Sequence, residues 1–502
     1  MTGATTMDVP SGDLPPAASP SESQGAMPSK SRLVRISGLS YALTFAVDFG
    51  VSIAVARLLT PQEVGTFSVA MAAIVLTQIL RTAGVNVYIV QARSLGPPQV
   101  AAALGLAMMI SATLGIAVAL MSGTIADFYN SADMEAVLRI ASLGFVLVPL
   151  QSVSTGLLMR ELRFGHVATG SLAGTAAGGV TTVLLALNGF GPMSMAIGAL
   201  ANISTATAIN AWNARAALVM PGLAGCLAVW SISGWVIAGS AVTQFGSRLN
   251  ELVVGRSLGL SDAAMLDRAE MLPRMVWSYV APALLAILTP LIAREVREGG
   301  DVRTLLVERM RFFSIIFVPV MVGMSSQASN LILAVFGPQW VDAVPSVFWL
   351  ALNGALAGQA IVISSALAAV GRTRLTFAMA TMEQIARAGV LLLLADTDIL
   401  TISQGMIAVG VVYALAAGGC ARYAGILRLS DLPHGALPAL VTGAVIFALG
   451  MGWNIVNARY LHLPPLTALI AAVGLLGIAW LALVWRFEPK LVRFGLRVVT
   501  GR

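Results

Sequence analysis

The chain has 502 residues, of which 57% are hydrophobic and 11% charged. Soluble domains carry about 25% charged residues, so this chain has too little polar surface to remain in water. Two cysteines and three scattered histidines exclude a disulfide framework and offer no metal-ligand spacing. No phosphate-binding glycine loop or dinucleotide fingerprint is present, and the net charge of +7 reads as topogenic arginine rather than as a nucleic-acid surface.

Residues 1 to about 30 are rich in Ser, Pro, Ala and Gly. They read as a disordered cytoplasmic tail without the short apolar core of a cleavable signal. Fourteen apolar helices are then predicted, at about 33–56, 64–90, 99–122, 135–158, 167–188, 192–213, 228–254, 273–293, 312–336, 344–369, 375–395, 401–422, 437–457 and 465–486. Runs of about 20 apolar residues are long enough to cross about 30 Å of hydrocarbon. A helix satisfies its own backbone hydrogen bonds there, and the strict alternation of a membrane barrel is absent.

The positive-inside rule tests this reading. With the N-terminus in the cytoplasm, 21 of the 30 basic residues fall on the cytoplasmic side, six fall opposite, and three (Arg81, Arg248 and Arg387) lie inside spans. The asymmetry predicts both termini inside and an even number of spans. The chain divides into the tail, an N-terminal lobe at 31–220 (spans one to six), a C-terminal lobe at 221–430 (seven to twelve), and 431–502 with the last two spans and a basic cytoplasmic tail.

An internal repeat supports the two lobes. Ser37-Gly38 and Phe49-Gly50 recur as Ser233-Gly234 and Phe245-Gly246, 196 residues on. Val55-Ala56-Arg57-Leu58-Leu59 is echoed by Val254-Gly255-Arg256-Ser257-Leu258 at an offset of 199. Two parallel six-span repeats carry this signal; chance recurrence of small apolar motifs is the alternative.

The first half then runs Ala56-Arg57-Leu58-Leu59-Thr60-Pro61-Gln62-Glu63-Val64-Gly65, with Thr82-Ala83-Gly84-Val85 at the end of the second span. The second half carries Gly255-Arg256-Ser257-Leu258-Gly259, Asp267-Arg268-Ala269, Val335-Phe336-Gly337-Pro338-Gln339-Trp340 and Val370-Gly371-Arg372. In this order the motifs resemble the polysaccharide flippases of the multidrug/oligosaccharidyl-lipid/polysaccharide (MOP) superfamily, the Wzx-type O-antigen and exopolysaccharide branch. The resemblance covers about 31 to 486 and lacks the glycine expected near Ala264.

The resemblance implies an all-α, MATE-like integral membrane fold of two six-helix lobes around a central cavity, plus two extra C-terminal helices. It implies a transporter rather than an enzyme, working by alternating access in a bacterial inner membrane. Its cargo would be an undecaprenyl-diphosphate-linked oligosaccharide, drawn from the surrounding membrane lipids and passed to a polysaccharide polymerase and chain-length regulator. No cofactor is implied, and coupling to protons or sodium is left open. A MATE-type multidrug exporter, a lipid II flippase and a membrane-embedded polymerase are the alternatives. The exporter predicts an acidic cavity. The polymerase predicts a long outer loop with an acid/base pair, whereas the longest outer loop is read here as 255–272.

Charge at mid-bilayer costs several kcal/mol unless paired or hydrated, which makes intramembrane charges the functional candidates. Arg81 and Arg248 suit a lipid diphosphate, since arginine offers a planar fork of donors with fixed charge. Asp48 either partners an arginine or competes with phosphate for it, and Gln244, its repeat counterpart, bonds either sugar hydroxyls or a neighbouring helix. The bland reading of all four is static interhelical pairing. Glu383 and Arg387, four apart, make an intrahelical pair. Arg57 and Arg256, at matching places in the two halves, either close an outer gate by pairing with acids such as Glu63 or Asp262, or anchor the interface. Gly170, Gly174 and Gly178 form a packing ladder. Pro282, Pro290 and Pro319 are hinges or static kinks. Trp230, Trp235, Trp340, Trp349, Trp453 and Trp485 mark an aromatic belt. The charged stretch from Arg294 to Arg311 reads as a solvated amphipathic helix.

Overall fold

The computed structural model describes residues 30–487 apart from 93–94, 223, 225, 227–243, 245, 282–283, 286–291, 293, 295–296 and 299; the side chains of 30–41, 75–84, 86–87, 91, 429 and 432–434 also lie outside the description. The fold is all-α. α1 (Lys30–Leu58), α2 (Pro61–Gln91), α3 (Pro97–Phe128), α4 (Ala132–Ser142), α5 (Gly144–Arg160), α6 (Phe164–Leu187) and α7 (Pro192–Asn213) form the first bundle. A helix at 246–257, here α8, is followed by α9 (Leu260–Met275), which passes into a π-helical turn at Val276–Val280. Then come α10 (Val302–Ser326), α11 (Ala328–Val335), α12 (Val344–Ala369), α13 (Thr373–Leu393), α14 (Ile399–Tyr423), α15 (Leu432–Val456) and α16 (Pro465–Phe487). Among the described residues, eight helical stretches are long and apolar enough to cross a membrane. Several of the fourteen expected spans, the seventh and eighth most of all, fall partly outside the described residues, as do Pro282, Pro290, Trp230 and Trp235.

Most expected spans coincide with helices, and the departures have local causes. The fourth breaks at Leu143 into α4 and α5. The expected outer loop at 255–272 is mostly α9, in which Ala264 is wholly buried mid-helix; no turn there requires a glycine. The charged stretch is only partly a separate solvated segment. Asp301 caps α10 by accepting from the backbone N–H groups of Arg303 and Thr304, and the helix continues unbroken past Pro319 to Ser326.

The glycine ladder acts where α6 meets α7. A Cβ at Gly178 would lie 2.7 Å from the Gly198 carbonyl oxygen, so the backbones touch there because no side chain intervenes. α10, α12, α14 and α15 pack likewise in the second bundle, and α16 lies against α11 and α15. The buried apolar residues fall into three clusters. One spans both bundles at the end where α1 finishes, uniting Val55, Leu59, Val64 and Val137 with Leu260, Leu266, Trp340 and Ile402. At the opposite end each bundle has its own: Ile89, Leu104 and Leu158 in the first, and Phe313, Phe317, Ile363 and Ala417 in the second. Among the described residues, the bundles share a core at one end and have separate clusters at the other. Trp340, expected in the aromatic belt, is fully buried at the joined end.

At the separately packed end, Arg303 donates through Nε and Nη2 to the two oxygens of Asp431, each at 2.6 Å, tying the start of α10 to the start of α15. These bonds, with one from the Arg428 N–H at 2.9 Å, hold the Asp431 carboxyl well below the usual carboxylate range.

Two outcomes follow. Gly178→Val should lower stability by about 1–3 kcal/mol through overpacking, read as a drop in the detergent thermal midpoint. Because Asp431 is depressed in the folded state, its stabilisation is complete above the unfolded pKa of about 4 and is lost as pH falls toward the lowered value. Melts of the parent should therefore weaken on acidification below about pH 4, with that component missing in Asp431→Asn.

Candidate functional site: a charge cluster at the seam of the two bundles

Three helices of the second bundle bring charged side chains together. α8 supplies Arg248, Asn250 and Glu251; α9 supplies Asp267, Arg268, Glu270 and Arg274; α13 supplies Glu383, Gln384 and Arg387. Within each helix the partners are three, four or seven residues apart, which puts them on one face. Arg248 Nη1 lies 3.0 Å from Glu251 Oε1. Arg274 Nη2 lies 3.0 Å from Asp267 Oδ1 and 3.5 Å from Glu270 Oε2. Arg387 bridges helices, 3.4 Å from Glu270 Oε1 and 3.8 Å from Glu383 Oε1. Asn250 Nδ2 donates to Glu270 Oε1.

Arg268 turns the other way. Its Nη1 donates to Ser52 Oγ of α1 at 2.9 Å, and its guanidinium carbon stands 5.5 Å from the Trp340 ring centre and 5.7 Å from that of Phe336. Glu251 and Arg268 are 3% and 6% exposed, so the cost of burying them is met by partners, not by bulk water. Glu251 Oε2, Asn250 Oδ1 and Gln384 Oε1 are buried acceptors with no donor among the described residues. Buried acceptors are normally satisfied, so these three call for a donor beyond the described side chains: water, a ligand or another part of the chain.

The structure places the sequence candidates unevenly. Arg248 belongs to the cluster, paired with Glu251. Asp48 is exposed on α1, on the stripe between Phe45 and Ser52 that faces the second bundle, and has no hydrogen-bond or ion-pair partner among the described residues. Phe45 marks that face by its contact with Tyr279, ring centroids 4.4 Å apart. Gln244 is exposed just before α8. Arg81 lies on α2, but its side chain is outside the described residues. The Glu383–Arg387 pair forms and is extended by Glu270.

Arg57 and Arg256 take partners other than the expected acids. Arg57 donates to the carbonyls of Ala334 and Val335, and Arg256 lies over the Phe128 ring, 4.8 Å from its centre. Glu63 is already committed to its own helix, closing a capping box with Thr60, and the carbonyls at a helix end offer Arg57 acceptors that lack internal donors.

Sequence reasoning misses Asp267 and Glu270 because hydropathy assigns 255–272 to a loop, and Arg274 because it falls at the edge of the eighth predicted span. Their spacing of three and four residues was the available helical signal. The cluster is not simply cationic: three arginines, Arg248, Arg274 and Arg387, pair with four carboxylates, Glu251, Asp267, Glu270 and Glu383, and Arg268, turned toward α1, brings the formal charge to balance. The lateral grooves lack this chemistry. The one between α10, α15 and α16, of about 290 Å³, is lined almost wholly by apolar residues such as Pro319, Leu469, Leu476 and Trp480.

Comparison with known proteins fits this arrangement. The family profile described as polysaccharide biosynthesis protein matches residues 54–345. The chain is 25% identical over 328 residues to the lipopolysaccharide biosynthesis protein WzxC of Escherichia coli, covering 64% of this chain and 66% of that one. It is 26% identical over 366 residues to the succinoglycan biosynthesis transport protein ExoT of Rhizobium meliloti, covering 71% and 73%. The chain thus spans about two thirds or slightly more of these relatives. Among solved structures, the lipid II flippase MurJ in an inward closed conformation superposes with a TM-score of 0.74 at 13% identity, over 91% of this chain and all of that one. An inward-facing MATE-family multidrug transporter gives 0.58 at 14% identity, over 79% and 94%. These two likenesses establish the MATE-like fold.

Removing Arg387 would leave half-buried Glu383 without a cation among the described residues and take one of two from Glu270, a loss of about 1–3 kcal/mol. Arg387→Ala should therefore depress the thermal midpoint clearly more than Arg387→Met combined with Glu383→Gln. Equal losses would place the contribution in packing.

Proposed function

The chain belongs to the polysaccharide biosynthesis protein family, and on that premise we propose that it is a flippase for a lipid-linked oligosaccharide repeat unit in surface polysaccharide synthesis. The carrying observation, among the described residues, is the pairing of one shared core at one end with separate cores at the other, with a charge cluster at the seam. Bundles joined at one end and separately packed at the other suit alternating access: the joined end opens as the other closes.

In this reading the lobes are 31–220 and 221–430, with 431–502 appended. The membrane is a bacterial inner membrane, and both termini are cytoplasmic. The excess of arginine on one side supports that orientation and turns the joined end away from the cytoplasm. The cargo is an undecaprenyl-diphosphate-linked unit, delivered to the polymerase and chain-length regulator on the far side. Arg248 and Arg81 receive the diphosphate, and Asp48 and Gln244 lie along its path. The arginines of the cluster support an anionic cargo, and the family match favours it over the cationic drugs of an exporter. Arginine charge is fixed, and a phosphate that takes an arginine from its carboxylate leaves that carboxylate to be compensated.

Deleting the protein should abolish the surface polysaccharide and leave its lipid-linked unit in the cytoplasmic leaflet. An intact polysaccharide with new sensitivity to cationic drugs would overturn the reading. Arg81→Ala and Arg248→Ala should each cut export at least tenfold at unchanged protein level. Normal export from both would remove these arginines from the path.

A further inference from the structure

At the joined end each bundle satisfies the terminal carbonyls of the other. An α-helix leaves its last four C=O groups without internal donors. α1 finishes at Leu58, and there the Ala56 carbonyl accepts the Trp340 indole N–H at 2.8 Å. The Leu59 carbonyl accepts Gln339 Nε2 at 3.1 Å, and the same amide reaches the Ala56 carbonyl. In return α11, finishing at Val335, has its Ala334 and Val335 carbonyls bonded by Arg57 at 2.6 and 3.3 Å.

The internal repeat gives this contact a counterpart. Arg256 follows Arg57 by 199 residues, and Leu260, the first residue of α9, follows Pro61, the first of α2, by the same interval. Arg256 also crosses to the other bundle, onto Phe128 at the end of α3. Beside it the Tyr129 hydroxyl donates to the Leu252 carbonyl at 3.2 Å. α3 is the third long helix of the first half, and α10 with α11 holds the corresponding place in the second. Each repeat-related arginine thus reaches the end of the partner half's third helix. Between them α2 and α9 meet backbone to backbone: a Cβ at Gly65 would stand 1.8 Å from the Leu260 carbonyl oxygen.

We propose that Arg57, with Gln339 and Trp340 reciprocating, and Arg256 on Phe128 form a quasi-twofold latch whose release is the step that opens the joined end. They act as positioning residues and need not touch cargo. The two sides are unequal. Arg57 makes charge-assisted bonds to two carbonyls and is answered by Gln339 and Trp340, whereas Arg256 rests on one half-exposed ring. The Arg57 side therefore sets the closed population and the Arg256 side modulates it. This rests on the alternating-access reading above.

The test uses the full-length protein with Cys226→Ala and Cys420→Ala, and a single thiol from Val69→Cys. Val69 is wholly buried against Gly255 in the seam. Labelling by a membrane-impermeant maleimide should rise several-fold in Arg57→Ala and Trp340→Phe and less in Arg256→Ala. Arg57→Lys, which keeps the charge, should recover part of the closure. Gly65→Ala should raise labelling without touching any latch side chain. No faster labelling in Arg57→Ala and Trp340→Phe, at parental protein level and thermal midpoint, overturns the latch. A rise seen in inside-out vesicles but not in intact cells supports the latch and reverses only its orientation. A separate arm joins the two sides with Arg57→Cys and Val335→Cys. Export should stop on thiol cross-linking and return on reduction, and undiminished export from fully cross-linked protein overturns the proposal whatever the cargo.

Discussion

The constraint on which the structure depends is that a polar group inside an apolar bundle must find its partner within the protein. Arginine meets this requirement repeatedly, and often by bonding helix-end carbonyls. Arg160 Nη1 donates to the carbonyls of Ile89 and Ala92, each at 2.7 Å, at the end of α2. Arg163 bonds the Asn213 carbonyl closing α7 at 2.8 Å, and Arg311 bonds the Phe487 carbonyl closing α16 at 3.1 Å. A planar fork of donors can hold two acceptors at once, and a cation at a helix C-terminus also meets the favourable end of the dipole. Residues that set topology by their charge therefore also tie neighbouring helices together.

The same requirement separates rigid contacts from reversible ones. Arg160 and Arg163 bind within the first bundle, so their bonds persist whatever the bundles do relative to each other. Arg57, Gln339, Trp340, Arg268 and Arg256 bind between bundles, and they share an end with the one continuous apolar core. A cooperative opening there must break all of them together, which favours two discrete states over a continuum.

Most of the fold was legible in the sequence because apolar runs and arginine asymmetry are strong, long-range signals. The helices at 97–128, 164–187, 192–213 and 465–487 lie close to where hydropathy predicts them. The second half of the site was less legible for a physical reason. α9 carries charge on the face it turns to α8 and α13, which lowers its mean hydropathy to that of a loop although Ala263, Ala264, Leu266 and Ala269 on it are buried. Periodicity survives where average hydropathy fails, and Asp267, Glu270 and Arg274 show it. The partners of Arg57 were hidden for another reason: main-chain carbonyls at a helix end leave no mark in side-chain identity.

The neutrality of the cluster bears on how a diphosphate headgroup could pass. A seam of unpaired arginines would bind a dense anion tightly and release it slowly, and it would also be costly to bury in the unloaded protein. Pairing Arg248 with Glu251 and Arg387 with Glu270 and Glu383 makes the unloaded seam affordable and turns binding into exchange, in which phosphate oxygens displace carboxylate oxygens from arginine. The displaced carboxylates then need new partners, and the neutral amides of Asn250 and Gln384 can donate hydrogen bonds but supply no positive charge. A released Glu251 must be hydrated, protonated or matched by a cation before the anion can stay. Cargo affinity would then depend on what else enters the seam, which is the physical condition for coupling transport to a second species.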